Sequence, residues 1–171
     1  IGGTVGEYQN VLFLEAVRMM KTEHPADVAV VMVSYLPVPG SIGEMKTKPT
    51  QTAVRMLNSA GVFADVIIAR SPQPIDSKRK EKIARFCNVQ AADVISAPDV
   101  PSIYDIPLMF ERDKLSDRLC RALAITPKQP ADLAAWKRFV TRSRSGKGTV
   151  KIAVVGKYFN SGDFVLSDVY I

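Results

Sequence analysis

Lys46 and Lys48 stand one residue apart, just ahead of Pro49, in the stretch Gly-Glu-Met-Lys-Thr-Lys-Pro-Thr-Gln at 43–51. A proline cannot sit inside a helix, but its fixed φ suits the first helical position. Ala53, Val54, Leu57 and Ala60 then repeat at helical spacing, and Gly61 supplies a C-terminal stop. The two lysines therefore lie at a helix N-terminus, where the macrodipole is already positive and cations are disfavoured. Either they are solvated loop residues, or an anion shares the site with free backbone N–H donors, and phosphate is the usual occupant.

The elements that must position these residues alternate between strand and helix. The runs at 28–36 (Val-Ala-Val-Val-Met-Val-Ser-Tyr-Leu) and 64–70 are nearly continuous and β-branched, the pattern of parallel strands covered on both sides. A short third strand is expected at 93–96, and another at 150–155. Asn10 is placed to cap a helix over 11–20, with Leu12, Ala16 and Met19 on one face. An amphipathic helix is expected over 76–87, with Ile83, Phe86 and Cys87 inward and Lys78, Lys80 and Arg85 more exposed. Residues 103–125 read as a long helical stretch interrupted at Pro107, and 130–140, with the only tryptophan, Trp136, as another short helix. Thr-Arg-Ser-Arg-Ser-Gly-Lys-Gly at 141–148 is a linker, and 156–171 reads as an incomplete helix.

Such alternation implies right-handed crossovers and a parallel sheet, hence an α/β fold whose ligands bind at the carboxyl ends of the strands. Arg70, Asp99 and the Lys46/Lys48 loop all follow strands at that edge. Arg70 there either pairs with a carboxylate or stacks on a base; Asp99 either forms the turn before Pro101 or contacts a ligand. Gln51 either closes the helix cap or reaches a ligand, and Lys82 is either a solvated helix charge or part of an anion site.

A chain of 171 residues, 47% apolar and 23% charged, has the composition of a soluble globular protein with one core of ordinary size. No apolar run is long enough to span a bilayer. Cys87 and Cys120 show no metal spacing and suggest buried thiols in a reducing compartment. The single histidine, His24, reads as a solvated turn residue before Pro25. The net charge of +6 invites a nucleic-acid reading. Its excess sits at Lys78, Arg79, Lys80, Lys82 and Arg85, and again at Lys137, Arg138, Arg142, Arg144, Lys147 and Lys151. No aromatic residues interleave the first cluster, and solvated helix faces or a polyphosphate site explain both at least as well. Nucleic acid is therefore the minor reading. The glycine-rich start, Ile-Gly-Gly-Thr-Val-Gly at 1–6, lacks the Gly-Lys-Ser/Thr ending of a P-loop. Because the chain begins without Met and stops within an apolar run, it is expected to be a segment of a longer protein.

Six segments taken together resemble one family, the CTP synthases. They are Ile-Gly-Gly-Thr-Val-Gly at 1–6, Phe-Leu-Glu-Ala-Val-Arg at 13–18, Lys-Thr-Lys-Pro-Thr-Gln at 46–51, Ile-Ala-Arg-Phe-Cys-Asn-Val at 83–89, Ser-Ile-Tyr-Asp-Ile-Pro at 102–107 and Val-Gly-Lys-Tyr at 155–158. They occur in the family's order and spacing. The resemblance implies that residues 1–141 are the second half of a P-loop NTPase-like amidoligase (synthetase) domain. By the same resemblance, 142–148 are a linker and 149–171 the start of a class I glutaminase domain. It implies ATP-dependent amination of UTP to CTP with glutamine-derived ammonia, through a UTP phosphorylated at the uracil 4-oxygen.

By the same resemblance, Lys46, Thr47, Lys48, Pro49, Thr50, Gln51 and Lys82 bind UTP or CTP. Compact ammonium charges suit clustered phosphates, and an amide can pair with the mixed edge of a pyrimidine. Arg70 would stack on the ATP adenine, and Pro98, Asp99 and Val100 form the turn that accepts its edge. Glu7, Tyr8 and Gln9 align with a segment contacting the feedback inhibitor CTP. The family usually has Asp and Glu where this chain has Glu7 and Gln9, so one charge sits on a longer arm and one is removed. The implied cofactors are ATP and Mg²⁺, with the Mg²⁺ ligands, the P-loop lysine and the glutaminase nucleophile outside this chain. No catalytic residue and no metal ligand are thus expected within it, and the segment alone is expected to be inactive. The implied setting is a cytoplasmic homotetramer, joined through helices such as 11–20, with no membrane partner. Two alternatives are a non-catalytic relative that senses pyrimidine nucleotides and an amidoligase acting on another acceptor.

Overall fold

The computed structural model describes residues 5–40, 43–146 and 148–153. Three parallel strands, β1 (Val31–Tyr35), β2 (Val66–Ser71) and β3 (Val94–Pro98), pair in the order β1-β2-β3. Val31 is opposite Val66, and Ile67 is opposite Val94. Helix α1 (Val11–Glu23) precedes β1, α2 (Lys48–Ser59) links β1 to β2, and α3 (Ser77–Cys87) links β2 to β3. After β3 come α4 (Ile106–Arg112), α5 (Leu115–Ala122) and α6 (Ala134–Arg144). No described helix is long and apolar enough to cross a membrane.

The period-two alternation of β2 divides the core. Ile67 and Ala69 face α2 and α3, where Val54, Leu57, Ile83 and Cys87 close one buried cluster with Leu14 and Val17 of α1 at its margin. Val66 and Ile68 face the other way, against Met109 of α4 and Leu115 of α5, with Ile95 and Ala97 of β3 beside them. The sheet is therefore sandwiched between helices at β2 and β3, which accounts for the apolar residues on both faces of these strands.

Several local expectations need correction. β1 is shorter than 28–36, and it is not covered on both sides: Val31, Val33 and Tyr35 are exposed. It is the edge of the described sheet, and α4 and α5 pack on strand residues of β2 and β3 only. On α1, Leu12, Ala16 and Met19 face outward, while Leu14 and Val17 make the inward contact. Asn10 does precede α1, but its side chain makes no capping bond. Phe86 is also turned outward, 48% exposed, because Ile83 and Cys87, four residues apart, already fill the inward stripe of α3.

Pro107 does not interrupt the stretch after β3. It sits in the first turn of α4, where it is tolerated, and the break falls at Asp113–Lys114, with Lys114 left-handed at φ 58°. Helix α6 starts at Ala134 rather than Pro130 and continues to Arg144, through the first residues of the expected linker. It docks by the Trp136 indole N–H donating to the Tyr104 carbonyl at 2.9 Å, by edge-on packing of Tyr104 with Trp136 and Phe139, and by the Arg144–Asp105 ion pair. Residues 150–153 carry no strand, and the remainder of the expected strand and helix, like residues 1–4, lies outside the described residues.

Ile67 lies on the central strand β2 with no exposed surface. Ile67→Ala is expected to cost about 3 kcal/mol through lost burial and the cavity left behind. Urea unfolding followed by circular dichroism would check this through the midpoint at unchanged slope.

Candidate functional site

The loop after β1 carries Lys46 back to the sheet edge. Leu36 N–H donates to the Arg70 carbonyl at 2.7 Å, extending the strand pairing, and Lys46 N–H donates to the Pro37 carbonyl at 2.9 Å. Helix α2 begins at once, with Thr47 before it and Pro49 in its first turn. The start of α3 is fixed differently: the Asp76 carboxylate accepts from Arg79 N–H at 2.7 Å, a side-chain cap that the sequence pattern did not single out.

Between these two helix starts lies a concavity of about 520 Å³. Lys46, Lys48, Lys78, Arg79 and Lys82 line it, with Glu44 as its one carboxylate and Gln51, Thr47, Met45 and Phe86 completing the wall. Lys46 pairs with Glu44 at 2.6 Å, and Arg79 pairs with Asp76. Lys48, Lys78 and Lys82 have no hydrogen bond or ion pair among the described residues. The Glu44 carboxyl is held below the ordinary carboxylate range, first by its hydrogen bond from Lys46, then by the charges of Lys46, Arg79 and Lys82. Asp76 is lowered likewise, chiefly by the Arg79 backbone N–H. With five cationic side chains and one carboxylate on its wall, the concavity carries surplus positive charge, and what such a site can do chemically is hold a polyanion.

Gln51 is 3% exposed, and its amide donates to the Thr47 hydroxyl at 3.1 Å, so it both stitches the first turn of α2 and borders the cavity. Pro49 and Thr50 do not line the cavity. Thr50 is fully buried, its hydroxyl 2.9 Å from that of Ser34 on β1, and it ties helix to strand. Lys80 turns away from the cavity toward Asp113, 3.6 Å off.

Arg70 and Asp99 belong to a second concavity, of about 390 Å³, walled by Val100, Ile103, Ile106 and Phe110. The Arg70 guanidinium donates to Asp99 Oδ1 at 2.9 Å and to the Ala97 carbonyl at 3.2 Å. This is the carboxylate pairing of the two alternatives for Arg70. Asp99 N–H also donates to the Ser71 carbonyl at 3.0 Å, which holds the turn after Pro98 against the end of β2. The two concavities share no lining residue, so the lysines and the Arg70–Asp99 pair form separate sites along one edge.

Glu7, Tyr8 and Gln9 line neither. They occupy the turn entering α1, with Tyr8 83% exposed. Among the described residues, no group of three or more His, Cys, Asp or Glu side chains is placed to hold a metal. Lys78, Arg79 and Phe86 are lining residues that motif spacing alone did not select; the basic cluster around Lys82 was the only signal for Lys78 and Arg79, and Phe86 was expected to face the core.

A parallel α/β sheet with a lysine-lined concavity at its carboxyl edge defines the class: an α/β protein with a basic cleft where ligands bind in such sheets. A family model described as CTP synthase N-terminus matches residues 1–125, and the chain belongs to that family. It is similar to the CTP synthase of Synechococcus sp. (strain JA-3-3Ab), 44% identical over 168 residues covering 98% of this chain and 31% of that protein. The CTP synthase of Thermococcus kodakarensis is 45% identical over 168 residues, and that of Pyrococcus furiosus 44%, with the same coverage. The chain thus spans about a third of the length of these relatives, 31% of each.

Asp76 supports the site by fixing the start of α3. Asp76→Ala is expected to lower the melting temperature by about 2–4 °C, and Asp76→Ser to restore most of it. Because the folded state depresses the Asp76 pKa, this contribution is present at neutral pH. It is lost as the pH falls through and below the ordinary aspartate range. Melting curves of parent and Asp76→Ala protein should therefore converge on acidification.

Proposed function

We propose that this chain is the second half of the amidoligase domain, with the opening of the glutaminase domain, of an enzyme that aminates UTP to CTP. Residues 1–141 would belong to the amidoligase domain and 149–171 to the opening of a glutaminase domain, joined by 142–148. The observation that carries the reading is the gathering of Lys46, Lys48, Lys82 and Gln51 on one concavity, together with membership of the CTP synthase N-terminus family. The lysines hold the triphosphate of UTP, or of CTP as feedback inhibitor, and Gln51 meets the pyrimidine edge. Thr47, Pro49 and Thr50 keep that stretch in place. Arg70, fixed by Asp99 and Ala97, offers its guanidinium to the adenine of ATP, with Pro98, Asp99 and Val100 forming the turn that meets the adenine edge.

In the reaction, the uracil 4-oxygen attacks the γ-phosphorus of ATP, and the bond to ADP breaks. Glutamine hydrolysis supplies ammonia, which adds at C4. The carbon–oxygen bond then breaks, inorganic phosphate departs, and the nitrogen loses a proton. Mg²⁺ would screen the phosphates, and its protein ligands are assigned outside this chain. Glu7, Tyr8 and Gln9, which line neither concavity here, would reach CTP bound at another subunit of a cytoplasmic homotetramer. The exposed Leu12 and Phe13 of α1 favour such a contact.

In the intact parent enzyme, Lys46→Ala is expected to raise KM for UTP by about tenfold or more, with KM for ATP changed less than about twofold. Equal effects on both nucleotides would overturn the assignment. UTP should also raise the melting temperature of the parent protein and do so far less for Lys46→Ala. Protection by UTP without release of ADP and CTP would point to a pyrimidine-nucleotide sensor. Turnover of ATP without protection by UTP would point to another amino-group acceptor.

A further inference from the structure

We infer that Lys78 is a further phosphate-binding residue of the lysine-lined concavity and makes the site sensitive to the number of phosphates on its nucleotide. This rests on the reading of that concavity as a pyrimidine-nucleotide site. Lys78 and Lys82 are four residues apart on α3, so their side chains leave the same helix face, and both line the cavity with Lys46 and Lys48. Lys80, between them in sequence, projects elsewhere and meets Asp113.

Lys78 is placed against its own electrostatic interest. It lies in the first turn of α3, at the positive end of the helix dipole, and one turn from the like charge of Lys82. Asp76 feels its charge, but that carboxylate is already engaged by the backbone N–H and guanidinium of Arg79. Glu44 is likewise taken by Lys46. Lys78 therefore faces the cavity with no bonded carboxylate among the described residues, as do Lys48 and Lys82. The pair on α3 extends the row of ammonium groups by about 5–6 Å along the cavity wall. A row of cations suits a chain of phosphates, whereas a single phosphate needs only part of it.

Titration calorimetry of the intact protein with UTP, UDP and UMP as probes tests the inference. Lys78→Gln is expected to weaken UTP by about tenfold and UMP by less than about twofold, with UDP between them. Lys78→Arg, which keeps the charge, should stay near the parent for all three. Lys78→Ala, which favours the helix, is the second variant should Gln lower the melting temperature. Equal weakening of all three probes, or none, while Lys46→Ala still weakens UTP, would overturn the role of Lys78 and leave the nucleotide site standing. Loss of any UTP effect in Lys46→Ala as well, or no UTP binding by the parent, would remove both.

Discussion

Like charges gathered at two helix starts are the constraint around which this structure is built. Lys48 is the first residue of α2 and Lys78 the second of α3, each where the peptide dipoles already present positive charge, and Lys82 joins them on one wall. Such an arrangement persists only if the backbone beneath it is stiff. Thr50 hydrogen-bonded to Ser34, the Asp76 cap and the buried stripe of Ile83 and Cys87 provide that stiffness from below. On the cavity side the Lys46–Glu44 and Arg79–Asp76 pairs offset part of the positive charge, and Lys48, Lys78 and Lys82 remain without an ion pair among the described residues.

The same edge of the sheet serves a second purpose a short way along. At the ends of β2 and β3, Arg70 bridges to the Ala97 carbonyl and the Asp99 carboxylate, and Asp99 in turn bonds back to Ser71. The pair is roughly half exposed, so its worth to stability is small. Its geometric effect is larger, because it sets the turn that leads into Val100 and the apolar wall of the second concavity. One concavity is thus cationic and the other mostly apolar, on elements sharing the central strand.

Most of this architecture could be read from residue order. The β-branched runs at 28–36 and 64–70 contain β1 and, but for Ser71, β2; Pro49 and Gly61 bracketed α2, and the lysine pair ahead of Pro49 proved to line a concavity. What escaped depended on facts that a linear pattern does not carry. β1 has the same apolar run as β2, yet which of the two is central depends on tertiary placement. Phe86 is as apolar as its neighbours, but a helix has one inward stripe, and Ile83 with Cys87 occupied it. The kink after α4 rests on Lys114 adopting a left-handed backbone, a choice that no glycine or proline announced. Lys78 looked like any solvated charge, since only the approach of α2 to the start of α3 turns its face into a cavity wall.

The docking of α6 has an optical consequence. Trp136, the single tryptophan, donates to the carbonyl of Tyr104 and packs beside Phe139. Tyr104 sits between Ile103 and Ile106, which wall the concavity rimmed by Arg70 and Asp99. The indole emission of the chain therefore originates from one junction, where the segment behind that concavity meets the helix leading into the basic stretch at 141–148. A shift in its colour or its quenching would register slippage between those two pieces, against a background free of any other indole.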